Sequence, residues 1–199
     1  IQPVTFLNVR VSQEIRGCAD RIMPLIYNRA AGTLYHTLLI SPPRCGKTTL
    51  LRDIVRQVSD GSSDRPGQNV GLVDERSEIS ACFQGIPQND VGRRTDILDC
   101  CPKAEGMMML IRSMAPEVVA VDEIGGQADL EAVRSATYCG CRILATAHGA
   151  SMEEIGQRPG LRDFLENRMF ERYLVLGNAR GPGTIKGVFD SRGRRLLCG

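Results

Sequence analysis

Tryptophan is absent from this sequence, and phenylalanine and tyrosine together supply nine of its 199 residues. Few rings are at hand to stack on nucleobases, and a formal net charge of +2 creates no basic field that would gather a polyanion. No apolar run approaches the roughly 20 residues that a membrane-spanning helix needs. The opening Ile1-Gln2-Pro3 is not a basic, then apolar, signal segment, so the chain reads as soluble. An initiating methionine is also lacking, from which a removed or processed upstream region is expected. No Cys-x-x-Cys pair occurs among the eight cysteines, and the chain is long for a disulfide scaffold. Reduced thiols of a cytosolic protein, packed as small hydrophobes, are expected. Cys139 and Cys141, upstream of His148, could offer metal ligands, but structural zinc usually takes two spaced pairs.

What is present is a sequence with 42% hydrophobic and 24% charged residues, enough core for one or at most two compact domains. Alternation over Val4 to Val11 predicts a strand, and apolar residues at helical spacing predict a helix over Gln13 to Tyr27. Residues 1–30 are read as a lead-in, the tail of an N-terminal domain or a linker, with Tyr27 to Thr33 as the connection. Residues 31–199 form the main domain. There, strands are expected over Thr37 to Ile40, Val70 to Val73, Val118 to Val121 and Arg142 to Thr146. Helices are expected over Thr48 to Val58, Ala104 to Met114 and Asp129 to Tyr138. Short strands with consecutive apolar residues are buried on both faces, which points to an α/β fold with a mostly parallel central sheet flanked by helices. Tyr173 to Leu176, Thr184 to Phe189 and Arg194 to Leu197, separated by turns, suit an antiparallel meander closing one edge. Asp60 to Gln68 is a surface loop, and no internal repeat is evident.

Ser41-Pro42-Pro43-Arg44-Cys45-Gly46-Lys47-Thr48 has phosphate-binding-loop spacing, with Ser41 where the pattern has its first glycine. A strand before it and a helix after it aim backbone amides and the helix's positive end, about half a unit charge, at one point. A nucleotide triphosphate is expected there, held along Ser41 to Thr49. Gly46 permits close approach, Lys47 reaches the outer phosphates, and Thr48 ligates Mg2+. Pro42 and Pro43 stiffen the loop without donating.

Val118 to Val121 ends in Asp122-Glu123, the form of a Walker B strand, at a distance from the loop that suits a neighbouring strand. Phosphoryl transfer needs charge neutralisation and an oriented water, so Asp122 is assigned to Mg2+ and Glu123 to the water. Val73-Asp74-Glu75-Arg76-Ser77-Glu78 is a second acidic strand end, less specific by itself, and Glu75 and Glu78 are alternative bases. A third strand end, Thr146-Ala147-His148, places an imidazole at the same edge, where open α/β sheets bind ligands, and His148 is a candidate phosphate sensor. His36, before the first strand of the domain, is read as structural.

Taken together, Leu7-Asn8-Val9-Arg10, Gly17-Cys18-Ala19-Asp20, the loop, both acidic strand ends and Thr146-Ala147-His148 resemble the stage III sporulation protein AA family. More distantly they resemble the ATPases of type II and type IV secretion systems. That resemblance implies a RecA-like P-loop NTPase core in which Asp74, Glu75 and Glu78 are similar to an acidic box and Thr146 to His148 to a histidine box. Asp122 stands where secretion ATPases usually carry glycine, as Ser41 does in the loop. It also implies a homohexamer with ATP shared between neighbours, so that Arg76, Arg93, Arg94 or Arg112 could act in trans. A membrane-embedded channel between mother cell and forespore is the implied partner, with the ATPase on the cytoplasmic, mother-cell side. Alternatives are a nucleic-acid-associated ATPase, against which the low charge and few aromatics stand, and an assembly platform that binds ATP but hardly turns it over.

Overall fold

The computed structural model describes residues 5–6, 14–179 and 181–198. Apart from residues 5 and 6, the strand expected over Val4 to Val11 lies outside them. The helix expected over Gln13 to Tyr27 is largely replaced by turns over residues 16–22, and α1 is confined to Met23–Ile26. Gly17 accounts for the break at φ 80, and Pro24, which has no amide to donate, sits in the first turn of α1. Ala19, Ile22, Met23 and Ile26 are buried all the same, so the apolar spacing indicated burial while the backbone took another form. The expected connection after it is a small hairpin of β1 (Tyr27–Asn28) and β2 (Thr33–Leu34), its loop held by Asn28 Oδ1 accepting the amides of Ala30 and Ala31.

The main chain of elements then runs β3 (Thr37–Ser41), α2 (Lys47–Asp60), β4 (Val70–Asp74), β5 (Thr95–Asp99), α3 (Lys103–Met114) and β6 (Val118–Val121). It continues with α4 (Gln127–Tyr138), β7 (Arg142–His148), α5 (Met152–Gln157), α6 (Pro159–Glu166), β8 (Arg172–Gly177), β9 (Thr184–Asp190) and β10 (Arg195–Cys198). Among the described residues the strands from β3 onward form one sheet in the order β10-β9-β8-β3-β7-β6-β4-β5. Pairing is parallel from β8 through β5, and β8-β9-β10 is the antiparallel meander.

Successive strand residues explain why both faces are covered. Leu38, Ile40, Val119, Val121, Ile143, Ala145, Tyr173 and Val175 pack on one side with residues of α3, α4, α5 and α6. Their alternates Leu39, Val118, Ala120, Leu144, Leu174 and Leu176 pack on the other with residues of α1 and α2. A strand points successive side chains to opposite faces, so unbroken apolar runs require helices on both. Each fully buried Leu or Ile contributes about 1.5–3 kcal/mol.

Three features differ from the sequence expectations. The strand ending in Asp122-Glu123 is not the immediate neighbour of β3, because β7 lies between them, paired with β3 on one side and β6 on the other. β5 was not expected: Thr95-Asp96-Ile97-Leu98-Asp99 carries no apolar run, because it is a half-exposed edge strand paired with β4. Nor were the short helices α5 and α6, which start on Ser151, whose side chain accepts the Glu154 amide, and on Pro159.

Candidate active site

Parallel strands bring their carboxyl ends to one edge. Ser41 ends β3, Asp74 ends β4, Asp122 and Glu123 follow β6, and His148 ends β7 in register with Ser41. Inserting β7 between β3 and β6 therefore places Thr146 and His148 between the loop and the two acids.

Ser41 is fully buried as the last residue of β3, and its hydroxyl donates to the Pro42 carbonyl at 3.0 Å. In a strand it needs no glycine-like backbone. The left-handed angles of the loop fall instead at exposed Arg44 (φ 62) and at Gly46 (φ 78), which directly precedes α2. Pro42 is half-buried and Pro43 exposed, while Cys45 is buried and its carbonyl accepts the Gly183 amide at 2.8 Å. The tip of the β8–β9 hairpin thus leans on the loop, a contact between distant segments that no local pattern announced. The first-turn amides of α2, including those of Lys47 and Thr48, have no partner inside a helix and form a natural anion site. Thr49 stands in the same turn, half-buried, its carbonyl accepting the Cys18 thiol at 3.7 Å.

Lys47 is 5% exposed, a position that an ammonium tolerates when it is paired. Its Nζ lies 3.4 Å from His148 Nδ1 and 3.6 Å from Glu123 Oε1. Lysine can only donate, so the geometry assigns Nδ1 as acceptor and leaves Nε2–H to donate to Glu123 Oε1, 2.7 Å away. Arg76 Nη1 lies 3.3 Å from the other carboxylate oxygen, Glu123 Oε2. Burial pushes the Glu123 carboxyl up, but the charges of Lys47 and Arg76 and the hydrogen bond from His148 outweigh it and hold the group below its ordinary value. Glu123 also carries a left-handed backbone at φ 54, the kind of strain that surrounding structure must maintain.

Thr146 supplies that support. Its hydroxyl donates to Asp122 Oδ1 and accepts the Glu123 amide at 2.9 Å, while its carbonyl accepts the Ile124 amide at 2.8 Å. On the loop side, Thr48 Oγ1 donates to Asp122 Oδ2 at 3.2 Å. The strand pattern puts Thr146 at the sheet edge but does not reveal that it buttresses both acids.

The acidic segment after β4 folds into turns and bends. Asp74 is 2% exposed and accepts from the amides of Glu78, Ile79 and Ser80 and from the Ser80 hydroxyl, so it closes a turn. The Glu75 carboxylate is paired with Lys103. Glu78 donates its amide to Asp74, and its carbonyl accepts from Arg52 Nη2 at 2.8 Å. It is Arg76 of this segment that touches Glu123. Arg93 and Arg94 contact Asp60 and Ser59 at the far end of α2, a helix of 14 residues and so roughly 20 Å long. Arg112 lies in the last turn of α3.

A cavity of about 550 Å³ opens at the opposite edge of the sheet, lined by His36, Arg134, Arg142, Asn167, Arg168 and Glu171 among others. Helices α4 and α6 end there. His36 accepts the Ile143 amide on Nδ1, and burial pushes its pKa down. Cys141 and His148 stand at opposite ends of β7.

Among the described residues no group of three His, Cys, Asp or Glu side chains could hold a metal ion by itself. One hydroxyl and one carboxylate 3.2 Å apart, Thr48 and Asp122, beside a buried ammonium do suit Mg2+ carried with a polyphosphate, which keeps most of its ligands as water and phosphate oxygens. No helix is long and apolar enough to cross a membrane among the described residues.

The chain is 44% identical over 196 residues to stage III sporulation protein AA of Bacillus subtilis (strain 168), covering 98% of this chain and 63% of that protein. It thus spans under two thirds of that relative's length. The fold is similar to that of the ATPase DotB of Legionella pneumophila, with a TM-score of 0.63 at 15% identity over 90% of this chain and 52% of that one. It is also similar to the VirB11 ATPase of the Brucella suis type IV secretion system, solved in complex with sulphate, with a TM-score of 0.56 at 16% identity over 87% and 54% of the two chains. At such identities the likeness concerns the fold, a RecA-like P-loop core. The family model described as sporulation stage III, protein AA matches residues 1–196, and the chain belongs to that family.

Proposed function

We propose that this chain is the Mg-ATP-hydrolysing core of a ring-forming motor, hexameric in its working state, that powers or gates a membrane-embedded channel between mother cell and forespore. The observation that carries the ATPase reading is the meeting of Lys47, Glu123 and His148 beside the Thr48–Asp122 contact, at the mouth of a strand–loop–helix turn. Lys47 and the first-turn amides of α2 bind the phosphates. Thr48 and Asp122 hold Mg2+, which would neutralise charge on the phosphoryl oxygens. Glu123 orients the attacking water, and His148, bonded to both Lys47 and Glu123, registers the terminal phosphate. The ring, the channel and the cytoplasmic, mother-cell setting are supported by family membership and by the relatives' descriptions as ATPases, one from a secretion system. Residues 1–30 are proposed as the lead-in to this core.

Lys47→Ala is expected to remove most ATP affinity, measured by titration calorimetry. Glu123→Gln is expected to keep affinity and to lower phosphate release by at least roughly tenfold, as for loss of a water-orienting group. Unchanged binding by the first variant, or full turnover by the second, overturns the assignment.

A further inference from the structure

The acidic segment after β4 contributes a guanidinium to the site. Asp74, buried and accepting hydrogen bonds of 2.7–3.0 Å, ties residues 78–80 back to the strand end. Within that closure Ser77 takes φ 53, and its amide is 3.4 Å from the Asp74 carbonyl. Glu75 is drawn off to Lys103. Arg76, with its side chain 66% exposed, extends from this turn and reaches Glu123 Oε2 at 3.3 Å.

The other oxygen, Oε1, is shared by His148 and Lys47. Those two contacts are not equivalent to the third. A lysine beside a phosphate site is attracted to an incoming phosphate, and the His148 ring is bonded through Nδ1 to that same lysine. Both contacts on Oε1 are therefore subject to rearrangement when an anion enters. Arg76 comes from a separate element, tied by Asp74 and not by the loop. It makes one contact through Nη1 and leaves acceptor capacity on the carboxylate for a water. Thr146 holds the Glu123 backbone through its amide, whereas the carboxylate direction is set by the side-chain contacts alone.

We propose that Arg76 is a positioning residue that aims the Glu123 carboxylate within its own chain. This rests on the reading of Glu123 as the water-orienting group. It assigns the segment after β4 a function distinct from both of its expected ones, an alternative base and an arginine donated to a neighbour.

Arg76→Ala and Arg76→Lys in the full chain test the proposal by steady-state turnover, with ATP affinity measured on the same preparations. The exposed side chain makes a folding defect easy to separate, since both variants should melt within a few degrees of the parent. Arg76→Ala should lower kcat by at least roughly tenfold with Kd for ATP within about twofold, and Arg76→Lys should recover most of kcat. Parental turnover in Arg76→Ala, or a loss confined to Kd, overturns the proposal. So does a rise above the summed rates when Arg76→Ala is mixed with Lys47→Ala, because complementation means that the arginine serves a neighbouring site. A parent chain that hydrolyses no ATP removes the ATPase reading and this proposal together. Parental hydrolysis with Arg76→Ala at parity removes this proposal alone.

Discussion

Gly46 and Pro182 touch across more than a hundred residues of sequence: a Cβ built on Gly46 would lie 2.9 Å from Pro182 Cβ. The loop before α2 and the tip of the β8–β9 hairpin are therefore fitted to each other, and the Gly183 amide bonded to Cys45 completes the contact. That contact makes the meander a physical continuation of the candidate site.

Substituting Gly46→Ala should meet two penalties. A side chain at φ 78 costs about 1–2 kcal/mol, and the methyl group must also displace Pro182. For a chain of this size the backbone part alone corresponds to a melting temperature lower by roughly 2–8 °C, measured by calorimetry, and the steric part adds to it. Adding Pro182→Gly should relieve the steric part and leave the backbone part, so partial recovery is the expected result. Full recovery would mean that the left-handed angle is not strained.

Thr146→Val keeps the shape of the side chain and deletes the hydroxyl that Asp122 and the Glu123 amide share. With both groups losing a partner, destabilisation of about 1–3 kcal/mol in urea unfolding is expected, together with slower phosphate release. Thr146→Ser restores the hydroxyl and should restore both readings. A valine variant as active as the parent would remove Thr146 from the support of Glu123.

Asp53 links the turns before α1 to α2, accepting the Ala19 amide at 2.9 Å, Arg56 at 2.6 Å and Gln57 at 3.1 Å. Burial pushes its carboxyl up, but these bonds outweigh it and hold the group below its ordinary value. With the folded pKa below the unfolded one, the carboxylate's stabilisation is present above the unfolded value and disappears as pH falls through the folded one. Stability to urea should thus decline as pH drops below about 4. Asp53→Asn should be less stable than the parent at pH 7 and show a flatter acid slope. Parallel slopes for the two proteins would count against the linkage.

Much of this protein was legible in its residues because the relevant physics is local. Consecutive apolar residues in Thr37 to Ile40 and Val118 to Val121 imply strands covered on both faces. A strand running through Gly46-Lys47-Thr48 into a helix implies a phosphate site at whatever edge it reaches. Local spacing also failed locally, where Gly17 and Pro24 break an otherwise helical apolar pattern, and at β5, whose half-exposed edge position removes the apolar signal. Which strand neighbours which was decided by tertiary structure alone. β7 entering between β3 and β6 brought Thr146 and His148 against the acids, and a closed turn on Asp74 turned Arg76 toward Glu123. Backbone periodicity is encoded within a few residues. Strand order and side-chain convergence depend on contacts between segments distant in sequence, which form when both faces of the sheet are buried at once.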